Sequence, residues 1–187
     1  MHTRTSDLSI TTHDAAGLAE HMGLVLDTYA EVYATEIAAD PFFSVPRYQD
    51  RLNAYASRAG FALALGYTGD ELAGYVLGFR LPEGSGWWSG LQDAVDPEML
   101  IEDGTRTVAI CEIMVKEMYR RRGYARRLHD AFLHDRTEER ATLLVDPINT
   151  PAKSAYRSWG WLRIGGVRPF PDSPLYDGML LDLPTRH

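Results

Sequence analysis

The sequence predicts an α+β (α/β layered) fold: a mixed, mostly antiparallel central sheet with helices on both faces and one parallel strand-helix-strand unit. Three observations predict it. Apolar residues recur at three- and four-residue spacing from Leu18 to Ala59, and two apolar runs joined by a tight turn follow. An apolar strand, an amphipathic helix and a second buried strand then succeed one another from Thr107 to Val145. A strand, crossover helix and strand in that order form a right-handed parallel unit, which leaves the other strands to pair antiparallel.

A short strand at Leu8 to Thr11 comes first, and Thr12 and Asp14 are candidate caps for the helix that carries Leu18, Met22, Val25, Tyr29 and Val32 on one face. Asp40-Pro41 is expected to interrupt this helix. A second helix is expected from about Pro46, with Leu52, Tyr55 and Ala59 on one side and Gly60 as its stop. Phe61 to Tyr67 and Leu72 to Phe79 read as strands joined by Thr68-Gly69-Asp70-Glu71. From Leu81 to Arg106 the periodicity lapses, and Pro82, Gly84, Gly86, Gly90, Pro97 and Gly104 mark a long connection that holds Trp87 and Trp88. Thr107 to Val115 is an apolar strand broken only by Glu112. A helix to about Glu139 follows, with Leu128 and Phe132 inward, then a strand at Thr142 to Val145 and a short helix from Pro151 to Trp159 stopped by Gly160. Trp161 to Ile164 and Leu175 to Leu183 complete the sheet. No repeat or linker divides the chain, so residues 1–187 are expected to form one domain.

Composition narrows the partners. The chain of 187 residues is 45% hydrophobic, enough for a core of its own. Its formal charge is -7, yet five arginines lie between Arg120 and Arg127, so the remainder carries -12. That is a local anion site on an acidic body, which argues against nucleic acid and suits an amine. Cys111 is the one cysteine, so no intrachain disulfide forms. The six histidines are scattered, His129 and His134 being five apart, and no metal is expected. Met1 to Ile10 lacks an apolar leader core and no apolar run approaches the roughly 18 residues of a membrane span, so a cytoplasmic protein without a membrane partner is expected.

Two segments carry the chemistry. Arg120-Arg121-Arg122-Gly123-Tyr124-Ala125 places a glycine at a helix start, where backbone comes close to a ligand and helix amides point at an anion. Asn149-Thr150-Pro151-Ala152-Lys153-Ser154-Ala155-Tyr156 opens the next helix. The order R-x-x-G-x-A after an apolar strand, then N-x-x-A-x-x-x-Y after the next, resembles the GNAT superfamily of acetyl-CoA-dependent N-acetyltransferases. The resemblance covers nearly the whole chain. It implies that Ile113, Met114 and Val115 offer backbone groups to the pantetheine arm of acetyl-CoA. Arg121, Arg122, Gly123, Tyr124, Ala125 and Arg126 would wrap the pyrophosphate, and Arg126, Arg127 and Lys153 are candidates for the ribose phosphate. Asn149, with Ala152 in the same motif, would position the pantetheine arm or its own helix. Glu117 stands where many members have proline.

The implied reaction is direct attack of a primary amine, of a small molecule or peptide, on the thioester in a ternary complex. An alkylammonium of pKa near 10.4 is less than about 0.1% neutral at pH 7, so a base is needed. Glu112, a carboxylate in an apolar strand, is the first candidate, with Asp146 or water as the others. A rival reading turns it to a wet face or a structural arginine. Some members carry a glutamate on the following strand, where this chain has Leu144. Tyr156 takes the position of the family tyrosine near the thioester sulfur and is the candidate general acid; its other reading is a core aromatic. The Val115 amide is a candidate for the oxyanion. Tyr29, Tyr33, Trp87, Trp88 and Tyr176 are candidates to line the acceptor site, and a small cationic amine is the first expectation. The alternative from another class is a non-catalytic acyl-CoA sensor or scaffold. An edge strand near the C-terminus is the expected place for a homodimer to pair.

Overall fold

Leu8–His13 forms the first strand, β1, and Asp14 immediately caps the next element, its side chain accepting from the Gly17 amide at 3.1 Å. The computed structural model describes residues 7–184, so Met1 to Ser6, part of the segment read as lacking a leader, lie outside the described residues. The helices are α1 (Ala15–Val32), α2 (Ala34–Ala39), α3 (Val45–Ala56), α4 (Tyr124–Leu133) and α5 (Thr150–Ser158). The remaining strands are β2 (Ala62–Thr68), β3 (Glu71–Arg80), β4 (Thr107–Val115), β5 (Arg140–Val145), β6 (Leu162–Val167) and β7 (Tyr176–Asp182). The sheet is seven-stranded in the order β1-β2-β3-β4-β5-β7-β6. Its β4–β5 pair is parallel, while β1–β2, β2–β3, β5–β7 and β6–β7 are antiparallel. The predicted mixed sheet and parallel crossover are both present.

The chain partitions into two compact units, each built from two stretches of sequence: the described residues through Gly78 with Glu112–Arg136, and Phe79–Cys111 with the described residues from Thr137. In the first unit, Leu8, Gly66 and Leu128 meet where α4 covers β1 and β2; a Cβ on Gly66 would lie 3.1 Å from both leucine side chains. Gly69, at φ 63°, makes the β2–β3 turn in the left-handed region that favours glycine. Strand β3 reaches the end of β4 through the Lys116 amide, which donates to the Ala73 carbonyl at 2.9 Å.

Three helix boundaries differ from expectation, and the simplest is α3, which ends at Ala56 with Ser57 as its cap, short of Ala59 and Gly60. The first helix breaks at Tyr33 instead of running to Asp40-Pro41. Tyr33 stacks on Tyr29 and on Phe43, and the Tyr29 hydroxyl donates to the Phe43 carbonyl at 2.9 Å, so ring packing folds the chain back before the proline arrives. Helix α4 ends at Leu133, short of Glu139. Residues 134–139 hold no apolar side chain to extend its buried stripe, and Glu138 is instead drawn into a 3.0 Å ion pair with Arg80.

In the second unit the long connection is tied down. Leu91 bridges to Val167, Gln92 donates its amide to Gly166, and Arg168 donates to Gly90. Gly90 has to be glycine, because a Cβ would overlap the Arg168 carbonyl. Beneath it lies a buried polar group: Glu102 accepts from Trp88, Thr107 and Arg140, each at 2.9 Å, and Arg140 also donates to the Met99 carbonyl at 2.7 Å. Ordering this segment, which periodicity cannot forecast, falls to that one ion pair and its neighbours.

Candidate active site

Strand β4 changes character along its length. Thr107 to Ile110 pair in register with Arg140 to Leu143 of β5, and that register ends five residues before β4 does. Residues Glu112, Ile113, Met114 and Val115 belong to the first unit. Gly74 of β3 permits close backbone approach there, since a Cβ would collide with the Met114 carbonyl oxygen.

Glu112 keeps part of its surface exposed, yet burial pushes its carboxyl up to about 7, with the Arg51 guanidinium opposing the rise. Low dielectric disfavours the charged form, so an acid held this way passes protons near neutral pH. Its neighbourhood is aromatic. Tyr29 and Tyr48 stack with centroids 3.7 Å apart, and the Tyr48 and Tyr75 hydroxyls lie 2.7 Å from each other. Burial first, and the Glu112 charge among lesser causes, raises Tyr29 to about 12 and Tyr48 and Tyr75 well above the usual phenol value, so all three are neutral donors at physiological pH. Arg51, Tyr48 and Tyr75 were not singled out by sequence. The available signal was two tyrosines on apolar faces, whose hydroxyls demand partners once buried.

After β4 the chain turns through a short 3₁₀ helix, Glu117–Tyr119, to the arginine run. Arg121 has φ 60° and Gly123 φ 76°, the latter as N-cap of α4. No side chain caps this helix start, its first turn holds no acid, and a Cβ on Gly123 would meet nothing within 4 Å. An uncapped ten-residue helix led by a left-handed glycine facing open space leaves its first amides without a side-chain cap, a geometry that suits an anion. The exposed arginines divide in use. Arg120 donates to the Val115 carbonyl at 3.1 Å and Arg122 lies over the Tyr119 ring. Arg126 pairs with Asp130 at 2.7 Å, and Arg127 binds Asp7 and the Leu8 carbonyl of β1. Those contacts occupy Arg126 and Arg127 with the protein's own groups. Tyr124 is buried and Ala125 half-buried, so they contribute packing and backbone at this start.

In the second unit, Asn149 is the N-cap of α5, accepting from the Ala152 amide at 3.2 Å. Of its two expected roles, this contact is the helix-positioning one. Tyr156 is 8% exposed and meets the Trp159 and Trp161 rings edge-on. Lys153 is held by Asp177 at 2.7 Å and by the Pro147 carbonyl, and Arg163 shares that carboxylate. Burial works against the Asp177 charge, but the two cations outweigh it and keep the carboxyl below its usual range. Among the aromatic acceptor candidates, Tyr29 and Trp88 are buried in the cores of their own units, whereas Tyr33, Trp87 and Tyr176 are half-buried. Asp146 caps the turn before α5, accepting from the Ile148 amide at 3.0 Å.

The glycine-led helix start follows β4, the strand that makes the one parallel pair of the mixed sheet, after one 3₁₀ turn. The family model for the GNAT acetyltransferase family matches residues 28–161, more than half of the chain, and the chain belongs to that family. Membership makes it an acetyl-CoA-dependent acyltransferase. The chain is similar in fold to Ard1 from Thermoplasma volcanium, at 16% identity over 94% of this chain and 97% of that one, with a TM-score of 0.62. It is likewise similar to an acetyltransferase from Streptococcus agalactiae, at 13% identity over 94% and 98%, TM-score 0.65. A third likeness is the PaiA N-acetyltransferase from Thermoplasma acidophilum in complex with coenzyme A, at 11% identity over 95% and 99%, TM-score 0.57. No curated protein matches by sequence. Among the described residues no helix is long and apolar enough to cross a membrane.

Proposed function

We propose that this protein, acting as a single N-acetyltransferase domain, transfers the acetyl group of acetyl-CoA to a primary amine by direct attack in a ternary complex. The observation that carries the reading is Glu112, a carboxyl that burial pushes up to about 7, on the strand that leads to the uncapped, glycine-led helix start. In this reading Glu112 takes the proton from the acceptor ammonium, and the freed amine attacks the thioester carbonyl. The Val115 amide stabilises the oxyanion that forms. The carbon–sulfur bond then breaks, Tyr156 gives its proton to the departing thiolate, and the extra proton left on the acylated nitrogen passes through water to restore the Tyr156 phenol. A thiol has a pKa of about 8.5, so protonating the thiolate is the less demanding transfer. Backbone groups of Ile113, Met114 and Val115 hold the pantetheine arm. Arg121, Arg122, Gly123, Tyr124, Ala125 and Arg126 surround the pyrophosphate, while Asn149 and Ala152 fix the start of the helix that carries Tyr156.

The test is a panel of primary amines incubated with acetyl-CoA and the protein, followed by thiol release and the mass of the amine product. Thiol release matched by one acetyl group on an amine is the expected result. Binding of acetyl-CoA with no release over the panel would favour the sensor reading instead.

A further inference from the structure

A lysine close to the start of a helix meets the positive end of the macrodipole, so Lys153, the fourth residue of α5, is unfavourable for the helix itself. Its neighbours in the second unit give it another use. The ammonium lies 2.7 Å from one Asp177 carboxylate oxygen on β7 and donates to the Pro147 carbonyl of the β5–α5 loop at 3.2 Å. Arg163 of β6 donates to the other Asp177 oxygen at 2.7 Å. Asp177 is buried, and its register sets it between Val145, the last residue of β5, and Gly166 of β6. The carboxylate that Lys153 reaches is therefore held by the sheet. The Lys153 side chain is itself only 20% exposed, which separates this pair from the half-exposed Arg126–Asp130 pair, a kind that contributes little.

What the pair holds is the helix that carries Tyr156. Helix α5 has nine residues, too few to be stable without tertiary contacts. Tyr156 is its buried residue, three positions after Lys153 and so on the same side. Burial of the ring against Trp159 and Trp161 is non-directional, whereas a charge-assisted bond of 2.7 Å fixes one atom on the helix to one atom on the sheet. We infer that Lys153 is a positioning residue: held between Asp177 and the Pro147 carbonyl, it ties α5 to the end of β5 and the start of β7, and so sets the place of the Tyr156 hydroxyl. The same contacts engage Lys153 away from the ribose phosphate for which it was a candidate.

The inference rests on Tyr156 as the acid of the proposed reaction, and its test separates the two. Lys153→Met, Tyr156→Phe and the double variant are assayed for thiol release from acetyl-CoA with the fastest amine of the panel, below the thermal midpoint of each. Acetyl-CoA affinity is measured by calorimetry, and the backbone amides of α5 are followed by hydrogen exchange. Lys153→Met should lower kcat about tenfold, leave the acetyl-CoA dissociation constant within about threefold, and speed exchange across α5. In the Tyr156→Phe background the same change should lower kcat by less than about twofold, because the hydroxyl it displaces is already gone. Lys153→Arg, which keeps the charge, should recover most of the lost kcat, and Asp177→Asn should reproduce the loss from the other side of the pair. Should Lys153→Met not fold, Lys153→Gln carries the same cycle. Equal losses in both backgrounds or unchanged exchange in α5 overturns the assignment. So does weakened binding of acetyl-CoA, but not of its dephospho analogue, with kcat intact, which would make Lys153 a phosphate ligand. A slow Tyr156→Phe beside an unaffected Lys153→Met removes the positioning role and keeps the acid; a Tyr156→Phe within about threefold of wild type removes both, as does a panel without thiol release.

Discussion

A carboxyl whose pKa is raised by burial affects catalysis and stability in opposite senses. The Glu112 carboxylate accepts a proton only once ionised, so turnover should rise with pH through about 7. Folding runs the other way. The unfolded glutamate ionises near its ordinary value while the native one still holds its proton, so the native state loses stability as pH climbs from about 4.5 to about 7. Glu112→Gln should therefore slow turnover roughly a hundredfold or more and lose the acidic limb of the pH-rate profile. Its thermal midpoint relative to wild type should rise between pH 5 and pH 8. An unchanged acidic limb would remove Glu112 as the base. For Tyr156→Phe the expected loss in kcat is about tenfold to a hundredfold, smaller because a thiolate leaves readily. Turnover within about threefold of wild type would return Tyr156 to the packing role that its contacts with Trp159 and Trp161 already provide.

At the level of elements, two glycines separate backbone strain from crowding. Gly123 faces open space, so Gly123→Ala meets only the cost of a left-handed alanine, about 1–2 kcal/mol. Stability should fall by no more than that, and where the helix start shifts to relieve the strain acetyl-CoA binding should weaken about tenfold. Gly74 is pressed on the Met114 carbonyl, and Gly74→Ala should lower the thermal midpoint by the larger margin, as overpacking of about 1–3 kcal/mol does. Chemical denaturation of both variants beside wild type checks the order. The helix start at Gly123 was readable in sequence because the R-x-x-G-x-A order and its distance from the second motif together resemble a known pattern, and the Asn149 cap because asparagine before a proline-containing first turn has a defined role. The break at Tyr33 and the early end of α4 were not. Both depend on partners distant in sequence, the Phe43 backbone and Arg80, which no local pattern names.

At the scale of the whole molecule, the charge pattern is the simplest guide to what binds. A chain of net charge -7 places five arginines within eight positions, Arg120 to Arg127, around an uncapped helix start. Arg126 and Arg127 are engaged by Asp130 and by Asp7, so the run is less freely cationic than composition implies. The parallel unit followed from apolar runs and the right-handed crossover rule, whereas the order of strands in the sheet came only with the structure. Likewise, the aromatic setting of Glu112 joins α1, α3, β3 and β4, which only the tertiary fold brings together. The most direct measurement is a calorimetric titration of the full chain with acetyl-CoA at low and at moderate salt. One site of micromolar affinity that weakens as salt screens the charged pyrophosphate is the predicted result. A folded chain that gives no binding at either salt concentration would contradict the account.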